Sequence, residues 1–508
     1  MRYLAALDVG TTTIRCHIVD DRGCSVATSF EKMKLLYPKI GHIEIDPDWL
    51  WEAIIRVIKK CFSESEIEPS KVEALGISTQ RCSVITWDLE SGKHYHNFIT
   101  WKDLRADSMV KEWNSSFAMH CLRLGSRLLY TIFRNKRYQA GSVLRLMNTQ
   151  MTLRLLWALE NVKGLRDAAI SGKAVFGGVD CWLLYKLTGQ HVSDVSSASA
   201  SGLFDPFTMQ WAGWAQMLFK LPATMFPRVV DTAGDFGSIP ASLFGVEIPI
   251  TCSMADQAAS LFGSGCFEPG DMKLTMGTGS FINVNTGKEP HAMITVLYPL
   301  IGWRYGNELA YVVEGSSNDT GTVIEWTKSL ELIENPLDTY TLATSVNDSD
   351  GVYFIPAFSG LQAPISNHNA AAGFLGIKPT TQKAHLVRSM LESLVFRILL
   401  LYECIQRETK FSYRSIRVDG GVSQNDFAMQ LLADLTGLNV ERSTSIEMSV
   451  LGVAYCAGLQ KGIWKSKEEI MKLRKVEKIF CPNKERQSAY KTTIENWKKA
   501  VTRFKDWY

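Results

Sequence analysis

The sequence predicts an α/β protein built as two similar halves with a site between them. Three observations lead there. Segments of strand character alternate with segments of helical period in both halves. A strand, a short Gly/Thr turn and a second strand occur at Leu4–Asp20, and the same plan returns at Asp271–Gly287. The 508 residues exceed what one hydrophobic core holds, so two large domains are expected. The rest of the two halves does not visibly repeat, so the duplication rests on the paired hairpins.

In chain order, Leu4–Asp8 is an apolar strand, Val9–Thr13 a turn and Ile14–Asp20 the return strand. Trp49–Phe62 places apolar residues at helical spacing, and Asp46-Pro47 is a suitable helix start. Val72–Ile77 and Val84–Trp87 read as strands on either side of Ser78–Cys82, and Phe98–Trp101 as another that runs into Lys102–Arg105. Gln80, Arg81, Trp101 and Asp103 stand at strand ends, where an α/β sheet carries its small-molecule site. Asp180–Leu187 reads as a helix and Asp194–Phe204 as a serine-rich loop. Ile248–Met254 is a strand that ends at Ala255-Asp256-Gln257, with a helix from Ala258, and the domains divide here into 1–253 and 254–508.

In the second half, Lys273–Met276 and Phe281–Val284 are the hairpin arms around Gly277–Ser280. Ala310–Glu314 follows as a strand, Asn318–Leu330 as a helix, Gly351–Pro356 as a strand and Ala357–Pro364 as a loop. Thr381–Gln406 is a long helix. Ser415–Val418 is a strand entering Asp419-Gly420-Gly421, and Phe427–Leu435 a helix.

Apolar content of 46% and charged content of 21% describe a soluble globular protein. A net charge of +3 supports neither nucleic acid nor an acidic membrane surface as a general partner. The 11 cysteines are scattered without CxxC or zinc spacing and read as buried hydrophobes of a reducing compartment, hence a cytoplasmic protein. The apolar run of MRYLAALDVG is too short for a signal peptide. The most apolar helix candidate, Leu386–Cys404, carries Arg388, Glu392 and Arg397 and reads as buried, with no stable membrane insertion. Leu122–Trp157 interleaves seven cations, from Arg123 to Arg154, with apolar residues. It reads either as a surface for acidic lipid or a partner, or as a solvated helical insert whose arginines snorkel; the second is favoured.

No GxxxxGK[ST] motif is present, and no GxGxxG joins a strand to a helix. Three glycine-containing turns remain, Gly10–Thr13, Gly277–Ser280 and Gly420–Asn425, each after a strand. Glycine lets backbone approach an anion, and exposed N–H groups and hydroxyls can donate to it. The first two turns are suited to clasp phosphates from two domains, with Gly420-Gly421 flat against an adenosine. Ordinary small-residue turns satisfy the same pattern. Asp8, ahead of the first turn, is a candidate Mg²⁺ ligand or a turn residue. Asp256, between the halves, is a candidate base for phosphoryl transfer or a helix cap.

These stretches together resemble the FGGY carbohydrate kinases and, within them, a divergent branch of the glycerol kinases. The anchors are LDVGTTTIRC, GISTQRCSVITWD, FITWKDLRA, ADQ, KLTMGTGSFINVNTG, IPAFSGLQAP, LVRSMLES and RVDGGVSQNDFAMQ, spread over nearly the whole chain. The resemblance implies two RNase H-like domains of the actin/sugar kinase type, with ATP, Mg²⁺ and a polyol in the interdomain cleft. It implies Asp256 as catalytic base and Gln257, Arg81, Trp101 and Phe281 around the polyol. It implies Thr11, Thr12 and Arg15 in the first phosphate loop and Gly277 and Thr278 in the second. Gly420, Gly421 and Asn425 match nucleotide contacts. The implied activity is phosphorylation of glycerol to sn-glycerol 3-phosphate; a kinase for another polyol or a ketose, and a nucleotide-binding regulator of weak activity, are the alternatives. A homodimer is compatible with the resemblance.

Three departures concern the substrate wall. Cys82 stands where glycerol kinases usually carry Glu, which removes an acceptor beside the polyol. Thr149 falls near the usual pocket tyrosine. Ile365–Gly373, ISNHNAAAG, lacks the charged groups of the usual YWDPDARG.

Overall fold

The computed structural model describes residues 1–291 and 298–508. The first hairpin forms β1 (Tyr3–Val9) and β2 (Thr13–Asp20), antiparallel, with β3 (Ser25–Lys32) beside β2. β4 (Val72–Thr79) joins β1 in parallel, and β5 (Ile248–Ala255) joins β4 in parallel. The order is β3-β2-β1-β4-β5, with Ser238–Ile239 at the far edge.

The second half repeats this plan. β6 (Met272–Met276) and β7 (Ser280–Gly287) form the second hairpin, and β8 (Glu308–Ser317) lies antiparallel beside β7. β9 (Ser415–Asp419) and β10 (Asn439–Ser443) add in parallel to the other side of β6. The order β8-β7-β6-β9-β10 matches the first sheet strand for strand, with Tyr298–Tyr305 and Val476–Phe480 as additional edges. The duplication expected from two short hairpins therefore extends through both sheets.

Each hairpin sits inside its sheet, and β1 in particular is apolar on both faces. Ala5, Leu7 and Val9 pack on the helix Pro47–Ser65, through Leu50, Ile54, Val57 and Ile58. That helix starts as expected, with Asp46 accepting from the Asp48 and Trp49 amides. Leu4 and Ala6 face the other way, onto the helix Met448–Gln460 from the second half of the chain. Backbones touch there: a methyl group at Gly76 would overlap the Val453 carbonyl. The same helix crosses Asp256–Gly263, where a methyl group at Gly452 would overlap the Ala259 carbonyl. The two halves are thus joined through a helix buried on nearly all sides.

Several expectations change. Asp194–Phe204 is not all loop: Val195–Ala200 is a helical turn, capped by Asp194 through the Ser196 and Ser197 amides at 2.8 and 3.0 Å. Serine content masked the cap. β3, β10, Val476–Phe480 and Met448–Gln460 were not singled out in the sequence. For the last, burial on every side removes the polar face that marks an amphipathic helix. The 122–157 region is helical, in Phe117–Phe133, Lys136–Ser142 and Thr152–Asn161. Its arginines do not all snorkel, since Arg154 is completely buried.

Candidate active site

The two turns have similar closures and meet each other. The Gly10 amide donates to the Thr13 carbonyl and the Gly277 amide to the Gly279 carbonyl, both at 3.0 Å. The hydroxyls of Thr12 and Thr278 lie 3.0 Å apart. The second turn is braced from behind by the start of the helix Gly321–Ser329, whose Gly321 amide reaches the Gly277 and Thr278 carbonyls. The third glycine turn completes the cluster. Gly420 has φ 86° and lies so close to the Met276 carbonyl that a methyl group there would sit 2.7 Å away. Gly421 faces open space. Asn425 is engaged at both ends of its amide: it caps Asp426–Thr436 through the Ala428 amide and donates to Thr339.

Arg81 stands at the centre of a charged pocket where the halves face each other. Its Nη2 donates to both carboxylate oxygens of Glu314 at 2.8 Å, and its Nε lies 3.3 Å from Asp256 Oδ1. Asn283 donates to Glu314 Oε2 at 2.8 Å. Lys273, fully buried, donates to Gln257 Oε1 at 2.9 Å and to the Thr275 hydroxyl at 2.6 Å. Burial raises the pKa of Asp256; the Arg81 charge opposes the rise and that of Glu314 adds to it. Burial lowers the pKa of Lys273, while Asp419, Glu314 and Asp256 hold its proton. Asp419 itself accepts from Ser260.

Asp8 ends β1 beneath the first turn. It accepts from the Ser78 hydroxyl at 2.7 Å, and Arg15 lies 3.7 Å away, itself tied to Glu447 at 3.2 Å. Burial pushes its pKa up to about 7; Ser78 and Arg15 pull it down, and the charges of Asp256 and Glu447 push it further up.

The apolar wall also assembles. The Trp101 indole donates to the Thr11 hydroxyl at 2.9 Å and meets Phe281 edge-on, centroids 6.4 Å apart. Cys82 adopts a left-handed backbone, φ 64°, and its thiol donates to the Ala200 carbonyl at 3.1 Å. Burial pushes that thiol up to about 11, so it remains protonated. Behind this loop, Arg154 donates to the carbonyls of Thr100, Cys82, Thr149 and Gln150. Thr149 thus contributes its backbone to the pocket frame. The 365–373 loop turns to the end of the chain: Asn367 bonds Asp506, and the Ala371 amide bonds the Phe504 carbonyl.

Glu314, Lys273, Asn283 and Arg154 escaped the sequence reading. The signal was present for two of them. Lys273 is a cation in an otherwise apolar hairpin arm, and Glu314 ends the apolar run Ala310–Val313.

Comparison with known proteins identifies the family. Residues 3–263 match the N-terminal domain of the FGGY family of carbohydrate kinases, and residues 272–460 its C-terminal domain. The chain belongs to this family. The FGGY kinase is 44% identical to glycerol kinase 5 of Danio rerio, across 100% of this chain and 97% of the relative. It is 36% identical to glycerol kinase 2 of Thermotoga maritima, across 100% and 99%. Among solved structures it resembles Plasmodium falciparum glycerol kinase with ADP, with a TM-score of 0.86 and 25% identity over 99% of this chain and 98% of that one. The doubled sheets are those of the actin-like sugar kinases, so the fold class expected from the sequence holds.

Proposed function

We propose that this FGGY kinase phosphorylates glycerol to sn-glycerol 3-phosphate with ATP. The observation that carries the reading is the Arg81 guanidinium between Asp256 and Glu314, beside the Trp101–Phe281 wall and the Thr12–Thr278 junction. Arg81 and Gln257 orient the hydroxyls, and the aromatic pair covers the carbon chain. Asp256 accepts the proton of a terminal hydroxyl. The freed oxygen attacks the γ-phosphorus in line, the bond from γ-phosphorus to the β,γ-bridging oxygen breaks, and ADP leaves. Thr11, Thr12 and Thr278 donate to the phosphates, and Gly277, whose amide is held by the Gly279 carbonyl, leaves the backbone open to their approach. Arg15 holds Asp8 and Glu447 in place, and Gly420 and Gly421 give the adenosine a flat surface. Asn425 supports that surface as a cap. The division at residues 253 and 254 belongs to this reading; it falls within β5 of the first sheet, and Asp256 enters the cleft directly after that strand.

The donor set around Asp8 suits Mg²⁺. One buried carboxylate stands near the charges of Asp256 and Glu447. Among the described residues, no group of three His, Cys, Asp or Glu forms a cation cage. A cation carried mainly by phosphate and water requires no more. When bound, Mg²⁺ neutralises phosphate charge; Asp8 would hold it directly or through water.

Cys82 favours a second reading for the acceptor alone. Its thiol is spent on Ala200, so the hydroxyl acceptor usual at this position is lacking, and another polyol or a ketose fits the same chemistry. ADP release measured against glycerol and a panel of polyols and sugars decides between them. Glycerol-dependent turnover, reduced by roughly 10³-fold in Asp256→Asn with ATP binding retained, is expected. A folded, ATP-binding protein without glycerol-dependent ADP release would overturn the glycerol assignment.

A further inference from the structure

The helix Phe117–Phe133 turns its apolar face away from the protein. Phe117, Cys121, Leu124, Leu128 and Ile132 fall on one side at spacings of three and four, opposite Met119. Met119 is fully buried, whereas Phe117 is 84%, Leu128 57% and Ile132 70% exposed. Leu129 and Phe133 widen the stripe. A surface helix of a water-soluble protein ordinarily shows the opposite arrangement. The inner side is anchored: Arg123 donates to the Leu144 and Asn114 carbonyls, and Ser116 caps the helix through the Met119 amide.

The segment that carries the stripe has charge of one sign. From Trp113 to Leu159 there is no Asp or Glu, in a chain that has 52 of them. Arg127 is exposed beside the stripe, and Arg134, at its end, lies over the Tyr130 ring at 5.7 Å. Lys136 and Arg137 follow, paired with Glu289 and Asp205.

We propose that this helix docks the protein on a membrane surface rich in anionic lipid, lying in the plane of the interface. Among the described residues no helix is long and apolar enough to cross a membrane, so the contact is peripheral. A cationic border in which Arg127 and Arg134 are exposed complements anionic headgroups and disfavours a second copy of the same face, while the stripe leaves water for the acyl boundary. The favoured expectation for this region, a solvated insert, does not account for an apolar face directed outward.

Flotation of the full chain with vesicles tests this. With phosphatidylcholine vesicles containing one third phosphatidylserine, the protein is expected to float, and at least fivefold less with pure phosphatidylcholine or in 0.5 M salt. The double variant Leu128→Asp/Ile132→Asp and the double variant Arg127→Glu/Arg134→Glu are each expected to float at least fivefold less while retaining kinase turnover. Wild-type protein that stays down with anionic vesicles overturns the proposal, as does unchanged flotation of the Asp variant. Self-association abolished by Leu128→Asp, without vesicle binding, would assign the face to a second copy instead.

Discussion

The hydroxyl of Thr12 lies 3.0 Å from that of Thr278, across 266 residues of sequence. It joins the turn at the centre of one sheet to the equivalent turn of the other. The pair is solvent-exposed, so its contribution lies at the low end of the usual range, about 0.5 kcal/mol. Thr12→Val and Thr278→Val are therefore expected to be coupled in a double-mutant cycle on denaturant stability by about 0.5 kcal/mol. Strict additivity would show that the turns do not meet in solution. In turnover, Thr278→Val is expected to lower kcat by roughly 10²-fold, as for loss of one donor to a reacting oxyanion.

The pocket charges set opposite displacements of the pH profile. The carboxyl of Asp256 is raised by burial, lowered by Arg81 and raised by Glu314. As a base it must be ionised, so the acid limb of kcat/KM follows its pKa. Glu314→Gln removes a raising charge, and the limb is expected to move to lower pH. Arg81→Gln removes a lowering charge, and the limb is expected to move to higher pH. Both variants lose kcat/KM, since each breaks the Arg81–Glu314 pair. Displacement in the same direction in both would contradict the electrostatic assignment.

Gly452→Ala is expected to separate the helices Met448–Gln460 and Asp256–Gly263, because the added methyl overlaps the Ala259 carbonyl. Overpacking between backbones costs roughly 3 kcal/mol. Asp256 begins the displaced helix, so kcat is expected to fall together with Tm. Gly125→Ala is the control: a methyl at this helical position meets no heavy atom, and up to about 1 kcal/mol of stabilisation is expected.

His17 makes stability fall towards acid pH. Burial lowers its pKa from 6.5 to about 4, with Arg15 adding to the shift, and its ring bonds Ser25. The unfolded chain takes up the proton first, so the contribution is complete above pH 6.5 and is lost between pH 6.5 and 4. Between pH 7.5 and 5 the loss is about 2 kcal/mol. Burial likewise lowers His96 to about 4, but it raises Asp8 and Asp180 to about 7, with the opposite sign. The readout is therefore the difference between wild type and His17→Gln in urea melts at the two pH values. A difference independent of pH would show that His17 does not titrate abnormally.

The sequence alone determined the features written in neighbouring residues. A strand, a Gly/Thr turn and a strand specify a hairpin locally, and finding it twice pointed to a doubled fold. Asp46-Pro47 announces a helix for the same reason. Arg81, Trp101 and Asp256 stand out at strand ends, Gln257 and Phe281 through the family resemblance, and the fold gathers them. Tertiary structure alone decided the partners that are far apart in the chain. Glu314 meets Arg81 across 233 residues. Arg154 binds the Cys82 carbonyl across 72 residues, and Asp8 accepts from Ser78 across 70. Met448–Gln460 shows no amphipathic period because the first sheet and the helix Asp256–Gly263 bury it from opposite sides, and the outward stripe of Phe117–Phe133 looks in sequence like an ordinary inward one. Periodicity reports that a helix has an apolar face; only packing decides whether that face meets the core or the surroundings.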